Sequence, residues 1–322
     1  MKAQCHVRYA LANCETGRWP MAATMQRGMD YVRSLLGTYF GAPATTMEEV
    51  RRRFELLAEE LPSVADVHVD DVSAAGVPAQ WITVPESQER PVFFFVHGGG
   101  YNCGSLVVYR DFMGRLARAS RGRVFGVEYR LAPEHKFPAA VDDAVAAYRW
   151  LLESGVDANS VVSVGDSAGG GLNLALLVAL RDQQLPFPAG AICIAPWVDL
   201  EGLGESMKTK AAADPWIRPE RVSVSTNLYI ERGGDVRHPL AAPLYADLSG
   251  LPPLQIIVGS EEVLLDDSTR ITERARAAGV EVALQIWENM IHVFPFFAGV
   301  LDEGQRAMDV MGAFARDRAG VS

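Results

Sequence analysis

The sequence has few cysteines and no long apolar run, and each absence narrows what the protein can be. The four cysteines form no CxxC pair and no spacing with histidine typical of a metal site; they are Cys5, Cys14, Cys103 and Cys193. They are too sparse in 322 residues for a disulfide scaffold, so we expect a reducing, cytoplasmic location. The longest apolar run near the N-terminus, residues 9–12, is too short for the core of a signal peptide, and no stretch is long enough for a membrane span, so we expect neither.

Basic residues are also fewer than acidic ones. Lys and Arg total 30 against 40 Asp and Glu, which gives a formal net charge of −10. A chain without basic excess creates no field that attracts phosphates, so we expect no nucleic-acid partner. Apolar residues nevertheless make up 49% of the chain and the mean hydropathy is +0.05. This composition supports a large core and excludes a disordered protein.

The N-terminal part of the chain predicts helices. Residues 1–24 show no clear periodicity and are interpreted as a leader. Residues 25–39 and 46–61 have helical spacing, and Thr46 followed by Glu49 is typical of an N-terminal helix cap. Because these helices precede every strand signal, we interpret residues 1–63 as a leader and a helical cap.

From residue 64 onward, short apolar strands alternate with helices. Residues 64–72 and 78–84 flank Gly76 and predict a hairpin. Further strands are predicted at residues 91–96, 123–128, 161–164, 189–194, 254–258 and 281–287, and helices at 109–120, 138–154, 168–183, 268–278 and 303–318. Such alternation predicts an α/β fold with a mostly parallel central sheet flanked by helices. Residues 199–240 interrupt the alternation, so we predict a domain over 64–322 with this segment as an insertion.

The clearest chemical motif is Gly-Asp-Ser-Ala-Gly-Gly at residues 165–170. It lies between a predicted buried strand and a predicted helix, which is the context of a nucleophile elbow. Such a turn needs small neighbours and raises its serine hydroxyl above the edge of the sheet, next to a helix N-terminus that favours negative charge. We predict Ser167 as a nucleophile; the alternative is a glycine-rich turn with an incidental serine.

A second motif, His-Gly-Gly-Gly at residues 97–100, follows the predicted strand 91–96. Consecutive glycines allow backbone N–H groups to point into a cavity. We predict that the N–H groups of Gly98 and Gly99, with that of Ala168, form an oxyanion hole; the alternative is a flexible loop. We expect His97 to shape this turn by hydrogen bonding rather than to act as a base.

We look for the general base and the acid in the loops that follow the last predicted strands. His292 follows the predicted strand 281–287, where a loop histidine can reach the serine; the alternative is a packed structural histidine. Glu262 lies in the loop after strand 254–258 and is the favoured acid, which fixes the histidine tautomer. Asp266 is the alternative, although it and Asp267 have a ready role at the start of a helix.

In this order the motifs resemble the hormone-sensitive lipase family of α/β-hydrolases, the microbial family IV esterases. The resemblance covers roughly residues 64–318 and four motifs: residues 97–101 with Gly104-Ser105, residues 129–135 (Tyr-Arg-Leu-Ala-Pro-Glu-His) with Phe137-Pro-Ala-Ala, residues 165–170, and His292 in Met-x-His-x-Phe. It implies an α/β-hydrolase fold with a helical cap and an inserted cap segment. It implies no cofactor or metal, and a possible homodimer formed through residues 281–287.

The loop of the acid departs from the family pattern. Residues 262–267 are Glu-Val-Leu-Leu-Asp-Asp where the family usually has Asp-Pro-Leu-x-Asp-Glu. Glu262 therefore stands in the place of the family's catalytic Asp, and Asp266 in that of its second Asp. This version also resembles the monoterpene lactone hydrolases, a subgroup of the family, which makes a lactone a plausible substrate.

The resemblance implies a serine hydrolase that cleaves short to medium carboxylic esters, or lactones, through a covalent acyl-enzyme. An amidase or formamidase on the same scaffold is the first alternative, because the acyl-transfer groups are shared. A non-catalytic small-molecule receptor is the second; the gibberellin receptors resemble this family but lack the histidine, which is present here as His292. We expect Asp166 to be structural and Cys103 to be inert.

Overall fold

The computed structural model describes residues 21–321, so the predicted leader up to residue 20, with Cys5 and Cys14, lies outside the described residues. The strands are β1 (His68–Ala74), β2 (Val77–Thr83), β3 (Val92–Val96), β4 (Arg123–Val127), β5 (Val161–Asp166), β6 (Gly190–Ile194), β7 (Leu254–Gly259) and β8 (Val282–Trp287). The helices are α1 (Met21–Phe40), α2 (Met47–Glu59), α3 (Arg110–Ser120), α4 (Ala139–Glu153), α5 (Ala168–Asp182), α6 (Ser206–Thr209), α7 (Pro219–Tyr229), α8 (Leu265–Ala277) and α9 (Asp302–Arg318).

The strands form one eight-stranded sheet in the order β1-β2-β4-β3-β5-β6-β7-β8. Pairs from β4 to β8 are parallel, while β1–β2 and β2–β4 are antiparallel. Every residue of β3, β5, β6 and β7 is buried, as expected for parallel strands covered by helices on both faces. The predicted α/β fold with a mostly parallel sheet is confirmed, and so is the hairpin around Gly76.

Two helices begin three or more residues earlier than the sequence predicts, while the other predicted helix boundaries differ by at most two residues. Helix α1 begins at Met21, so residues 21–24 are helical and not part of a leader. Helix α8 begins at Leu265, three residues early, because Ser206 Oγ accepts the N–H of Asp266 at 3.0 Å and satisfies one of the first-turn donors. Asp266 and Asp267 therefore lie inside the first turn and do not precede it.

The first two helices and the segment 199–240 lie over the carboxyl end of the sheet. Thr46 caps α2 as predicted, since its side chain accepts the N–H of Glu49. Arg51 on α2 donates to the carbonyls of Asn102 and Ala132, in the loops that follow β3 and β4, and Arg221 on α7 donates to the carbonyl of Phe40 at the end of α1. The division into residues 1–63 and 64–322 stays a prediction.

The last strand, β8, is an edge of the sheet, and Ile286 on it is 49% exposed. The homodimer through residues 281–287 stays a prediction. None of the described helices is long and apolar enough to cross a membrane.

Candidate active site

Ser167 occupies a strained turn between β5 and α5. Its backbone has φ 52° and ψ −120°, a conformation that a residue other than glycine rarely adopts. The turn is possible because the residues two positions before and after Ser167 are glycines. A Cβ on Gly165 would lie 2.2 Å from the carbonyl oxygen of Gly169, and a Cβ on Gly169 would lie 2.2 Å from that of Val96. The sequence Gly-x-Ser-x-Gly therefore forms the sharp elbow that the motif predicts.

The structure brings Ser167, His292 and Glu262 into one chain of hydrogen bonds. Ser167 Oγ lies 3.0 Å from His292 Nε2, and His292 Nδ1 lies 3.0 Å from Glu262 Oε1. The His292 side chain is 2% exposed and that of Glu262 is fully buried. This order of hydroxyl, imidazole and carboxylate can move a proton from the serine to the histidine.

Backbone contacts hold the acid and the base in place. Glu262 Oε2 accepts the N–H of Gly259 at 2.9 Å, which fixes the carboxylate against the end of β7. Gly259 also packs against the loop of the histidine, since a Cβ there would lie 2.2 Å from the carbonyl oxygen of Met290. The next residue, Val263, donates its N–H to Asp214 Oδ2 at 3.0 Å, so the inserted segment supports the acid loop.

The alternative acid is engaged elsewhere. Asp266 Oδ2 accepts the N–H of Ser206 at 2.9 Å. Asp267 Oδ2 accepts the N–H groups of Val198 and Asp199 at 2.9 and 3.0 Å. Both aspartates therefore tie α8 to the segment that follows β6, and the structure brings Glu262 rather than Asp266 to His292.

The buried carboxylate changes the acidity of the histidine. Burial by itself disfavours the imidazolium, but attraction to Glu262 and the hydrogen bond with it outweigh burial and raise the pKa of His292 above its ordinary value. A histidine of this kind accepts a proton readily and holds it as an ion pair with the carboxylate.

The amide predicted as one oxyanion donor is not free. The N–H of Gly98 donates to Asp166 Oδ1 at 2.9 Å, and the hydroxyl of Tyr109 donates to Asp166 Oδ2 at 2.7 Å. A donor already paired inside the protein cannot turn to a substrate oxygen, so the prediction for Gly98 is wrong. Asp166 holds the glycine turn against β5, which agrees with its predicted structural role. Burial raises the pKa of this carboxyl to about 6.

The N–H groups of the next two glycines remain available as hydrogen-bond donors. Gly99 and Gly100 have φ of +112° and +62°, and both line the cavity that contains Ser167. Among the described residues, no acceptor pairs with their N–H groups or with that of Ala168 at the start of α5. Sequence reasoning missed Gly100. The third glycine was the visible signal, but the pattern alone does not say which amides face the cavity.

His97 shapes the same turn, as predicted. Its Nδ1 lies 2.8 Å from the carbonyl oxygen of Gly98, and its ring stacks on Tyr129 with 4.3 Å between centroids. The hydroxyl of Tyr129 in turn donates to the carbonyl of His97 at 2.6 Å. Burial lowers the pKa of His97, so the ring is a neutral packing group.

Ser167 opens into a cavity of about 350 Å³. Its apolar walls include Phe40, Phe54, Trp216, Val222, Leu228 and Val293. Cys103 also lines it, with Sγ 3.1 Å from the carbonyl oxygen of Gly99, and burial raises its pKa to about 12. Such a thiol carries no charge at neutral pH and has low nucleophilicity. Within residues 21–321, no cluster of His, Cys, Asp and Glu could hold a metal ion.

Comparisons with known proteins agree on one family. Residues 93–296 match the model of the alpha/beta hydrolase fold. An acetyl-hydrolase of Streptomyces hygroscopicus is 40% identical over 292 residues, which are 91% of this chain and 97% of the relative. An esterase of Acinetobacter venetianus is 33% identical over 266 residues, 83% of this chain and 88% of the relative.

Solved structures give the same result. A crystal structure of an esterase from the bacterial hormone-sensitive lipase family superimposes with a TM-score of 0.89 at 45% identity, covering 91% of this chain and 99% of that one. The crystal structure of EstE5 soaked with p-nitrophenyl butyrate superimposes with a TM-score of 0.86 at 42% identity, with the same coverage.

Proposed function

The chain belongs to the hormone-sensitive lipase family of α/β-hydrolases and is a carboxylic ester hydrolase, and we propose that it works through Ser167, His292 and Glu262. The observation that carries this proposal is the chain of two 3.0 Å contacts from Ser167 Oγ through the imidazole to Glu262. The strained backbone of Ser167 supports it, because strain of this kind is retained where a reactive group must be presented.

In the first half-reaction, Ser167 Oγ attacks the ester carbonyl carbon while His292 Nε2 takes the hydroxyl proton. The N–H groups of Gly99, Gly100 and Ala168 then hold the oxyanion of the tetrahedral intermediate. When this intermediate collapses, the carbon–oxygen bond to the alcohol breaks and His292 returns the proton to the leaving oxygen. The product is an alcohol and a serine acyl-enzyme.

In the second half-reaction, His292 deprotonates a water molecule that attacks the acyl carbon. A second oxyanion forms at the same donors, and its collapse releases the acid and returns the proton to Ser167. Glu262 stays ionised throughout, keeps the Nδ1–H tautomer of His292 and stabilises the imidazolium. With a lactone, the same steps open the ring and release one hydroxy acid.

The cavity supports a substrate of modest size with an apolar part. A volume of about 350 Å³ with aromatic and aliphatic walls suits short to medium acyl chains. We propose such esters as the general substrate class and lactones as a second one. The lactone proposal rests on the Glu262 version of the acid loop alone.

Hydrolysis of p-nitrophenyl butyrate by wild type and by Ser167→Ala tests the proposal. We expect turnover in wild type and a loss of about four orders of magnitude or more in the variant, because nucleophile and base act as one unit. Ser163→Ala is the matched control, since Ser163 is a buried serine on β5, the strand that leads to Ser167, and its Oγ has no partner within the described residues.

Two results would contradict the proposal. The first is normal turnover by folded Ser167→Ala, which would place the nucleophile elsewhere. The second is a folded wild type that fails on the ester but cleaves butyryl p-nitroanilide, which would favour the amidase alternative.

A further inference from the structure

One cation on the cavity wall has no carboxylate partner within residues 21–321. Arg221 lines the cavity with Ser167, and the only hydrogen bond of its side chain within the described residues is from Nη2 to the carbonyl of Phe40 at 2.6 Å. Its guanidinium also lies 5.7 Å from the centre of the Phe40 ring. Arg53, the other arginine on this wall, differs because it pairs with Glu49 at 2.5 Å. Arg221 is therefore half-buried in a largely apolar cavity, and no described residue neutralises its charge with an ion pair.

The surroundings of Arg221 disfavour its charge. Burial, together with the nearby cations Arg218 and Arg53, lowers the pKa of its guanidinium. Arg221 also lies in the first turn of α7, where the helix dipole is positive and an added cation is destabilising. Glu220 in the same turn makes no ion pair with it within the described residues. An anion bound to the guanidinium would offset the cost of its burial and of the nearby positive charges.

The position of Arg221 relates it to the proposed oxyanion hole. Ser225 lies four residues further along α7, a step of about 6 Å that brings it to the same face of the helix. Ser225 Oγ accepts a hydrogen bond from Asn102 Nδ2 at 3.0 Å, and the same amide donates to the carbonyl of Gly100 at 3.0 Å. Arg221 thus lies one helical turn along α7 from the residue that contacts the glycine turn.

We propose that the preferred substrates are esters that carry a carboxylate a few bonds from the scissile group, and that Arg221 binds this carboxylate. A guanidinium fork can bind a carboxylate through two parallel hydrogen bonds, which gives both attraction and orientation. The one carboxylate among the described residues that line the cavity, Asp166, is already paired with Gly98 and Tyr109. The inference rests on the proposed function, because the ester reacts at Ser167.

The test compares each anionic ester with a neutral ester of nearly the same shape. Monomethyl glutarate and the methyl ester of glutaramic acid place the charge on the acyl side. Acetoxyacetate and acetoxyacetamide place it on the alcohol side. Initial rates of acid release give kcat/KM for each substrate, and the ratio of anionic to neutral substrate is taken on one enzyme sample. The fraction of folded enzyme cancels from such a ratio.

We expect wild type to prefer the anionic member of at least one pair by about tenfold or more, the effect of a charge-assisted hydrogen bond. Arg221→Met keeps the apolar stem and removes the charge, so the ratio should fall by about tenfold. Arg221→Lys should recover part of it. Arg149→Met is the control for net charge, because Arg149 is exposed on α4 and its side chain pairs, among the described residues, only with Gln183.

Two outcomes would overturn the inference. One is a wild type that hydrolyses p-nitrophenyl butyrate yet shows no preference for the anionic member of either pair. The other is a preference that Arg221→Met leaves unchanged, which would assign Arg221 only to fastening α7 onto α1. Failure on every ester, p-nitrophenyl butyrate included, would instead contradict the proposed function.

Discussion

The N–H of Gly98 donates to Asp166 Oδ1 at 2.9 Å, and this one contact joins the two loops that carry the proposed chemistry. Gly98 belongs to the glycine turn after β3, and Asp166 immediately precedes the proposed nucleophile. The second carboxylate oxygen is occupied by the hydroxyl of Tyr109 on the segment that leads into α3. Asp166 therefore sets the distance between the glycine turn and the nucleophile elbow, although it takes no part in proton transfer.

Removing this carboxylate should disturb both stability and rate. Asp166→Ala leaves two buried donors unpaired, at a cost of about 1–3 kcal/mol each in the free energy of unfolding. It should also lower kcat by about tenfold or more, because the turn that carries Gly99 is no longer tied to the elbow. Asp166→Asn keeps an acceptor for Gly98 and should be much milder. Urea unfolding measures the loss of stability, and p-nitrophenyl butyrate kinetics measure the loss of kcat. Equal losses in Asp166→Ala and Asp166→Asn would contradict the role of this carboxylate in joining the two loops.

The identity of the acid is tested by two matched substitutions. In Glu262→Gln, the amide oxygen is needed by the N–H of Gly259, so the amide nitrogen faces His292 Nδ1. The histidine must then carry its proton on Nε2, where it cannot accept the serine proton. We expect kcat to fall by about four orders of magnitude, as for comparable changes of tautomer.

Asp266→Asn keeps an acceptor for the N–H of Ser206, so kcat should stay within a few-fold of wild type. The pair of variants is decisive because each replaces a carboxylate by an amide. A larger loss in Asp266→Asn than in Glu262→Gln would reverse the assignment.

The pH dependence of kcat/KM should report His292. Catalysis needs the neutral imidazole, so activity is full at high pH and is lost as the pH falls through the pKa of His292. Because Glu262 raises that pKa, we expect the midpoint above the ordinary histidine value of about 6.5. In Glu262→Gln the residual activity should show its midpoint at lower pH.

The profile can be measured between about pH 5 and pH 9, with nitrophenol read at its isosbestic wavelength. Wild type and Glu262→Gln with the same midpoint would show that the carboxylate does not act on the group that limits the reaction.

The oxyanion donors can be probed through the packing of Gly100. A Cβ at this position would lie 2.9 Å from Ser225 Oγ, so Gly100→Ala should displace the turn and lower kcat by about tenfold or more. Adding Ser225→Ala removes the clash and should recover part of the loss.

Gly250→Ala is the matched control for backbone strain. Gly250 has a similar φ of +75°, and a Cβ there meets nothing within 4 Å. This variant should lose about 1 kcal/mol of stability and no activity. If Gly100→Ala is as active as Gly250→Ala, the N–H of Gly100 does not hold the oxyanion.

Local patterns predicted most of the fold because they report local physics. The Val-Phe-Phe-Phe-Val run of β3 indicates a strand buried on both faces, and all five of its residues are buried. The elbow around Ser167 is equally local, since its glycines are needed by contacts within the turn and with the adjacent strand. The starts of two helices were predicted less accurately. The start of α8 depends on Ser206, which is far away in the sequence.

The sequence by itself determined the α/β architecture, the turn of the proposed nucleophile and the order of the proposed serine, acid and histidine, because these follow from periodicity and from residue types at close spacing. Tertiary structure alone decided which partner each polar group finds. It turned the N–H of Gly98 towards Asp166 and away from the cavity, and it brought Glu262 rather than Asp266 to His292. It also left Arg221 without a carboxylate partner in the part of the chain that the structure describes. Hydrogen bonds and charges act over a few ångströms in space, and residues that meet there can be more than a hundred positions apart in the chain.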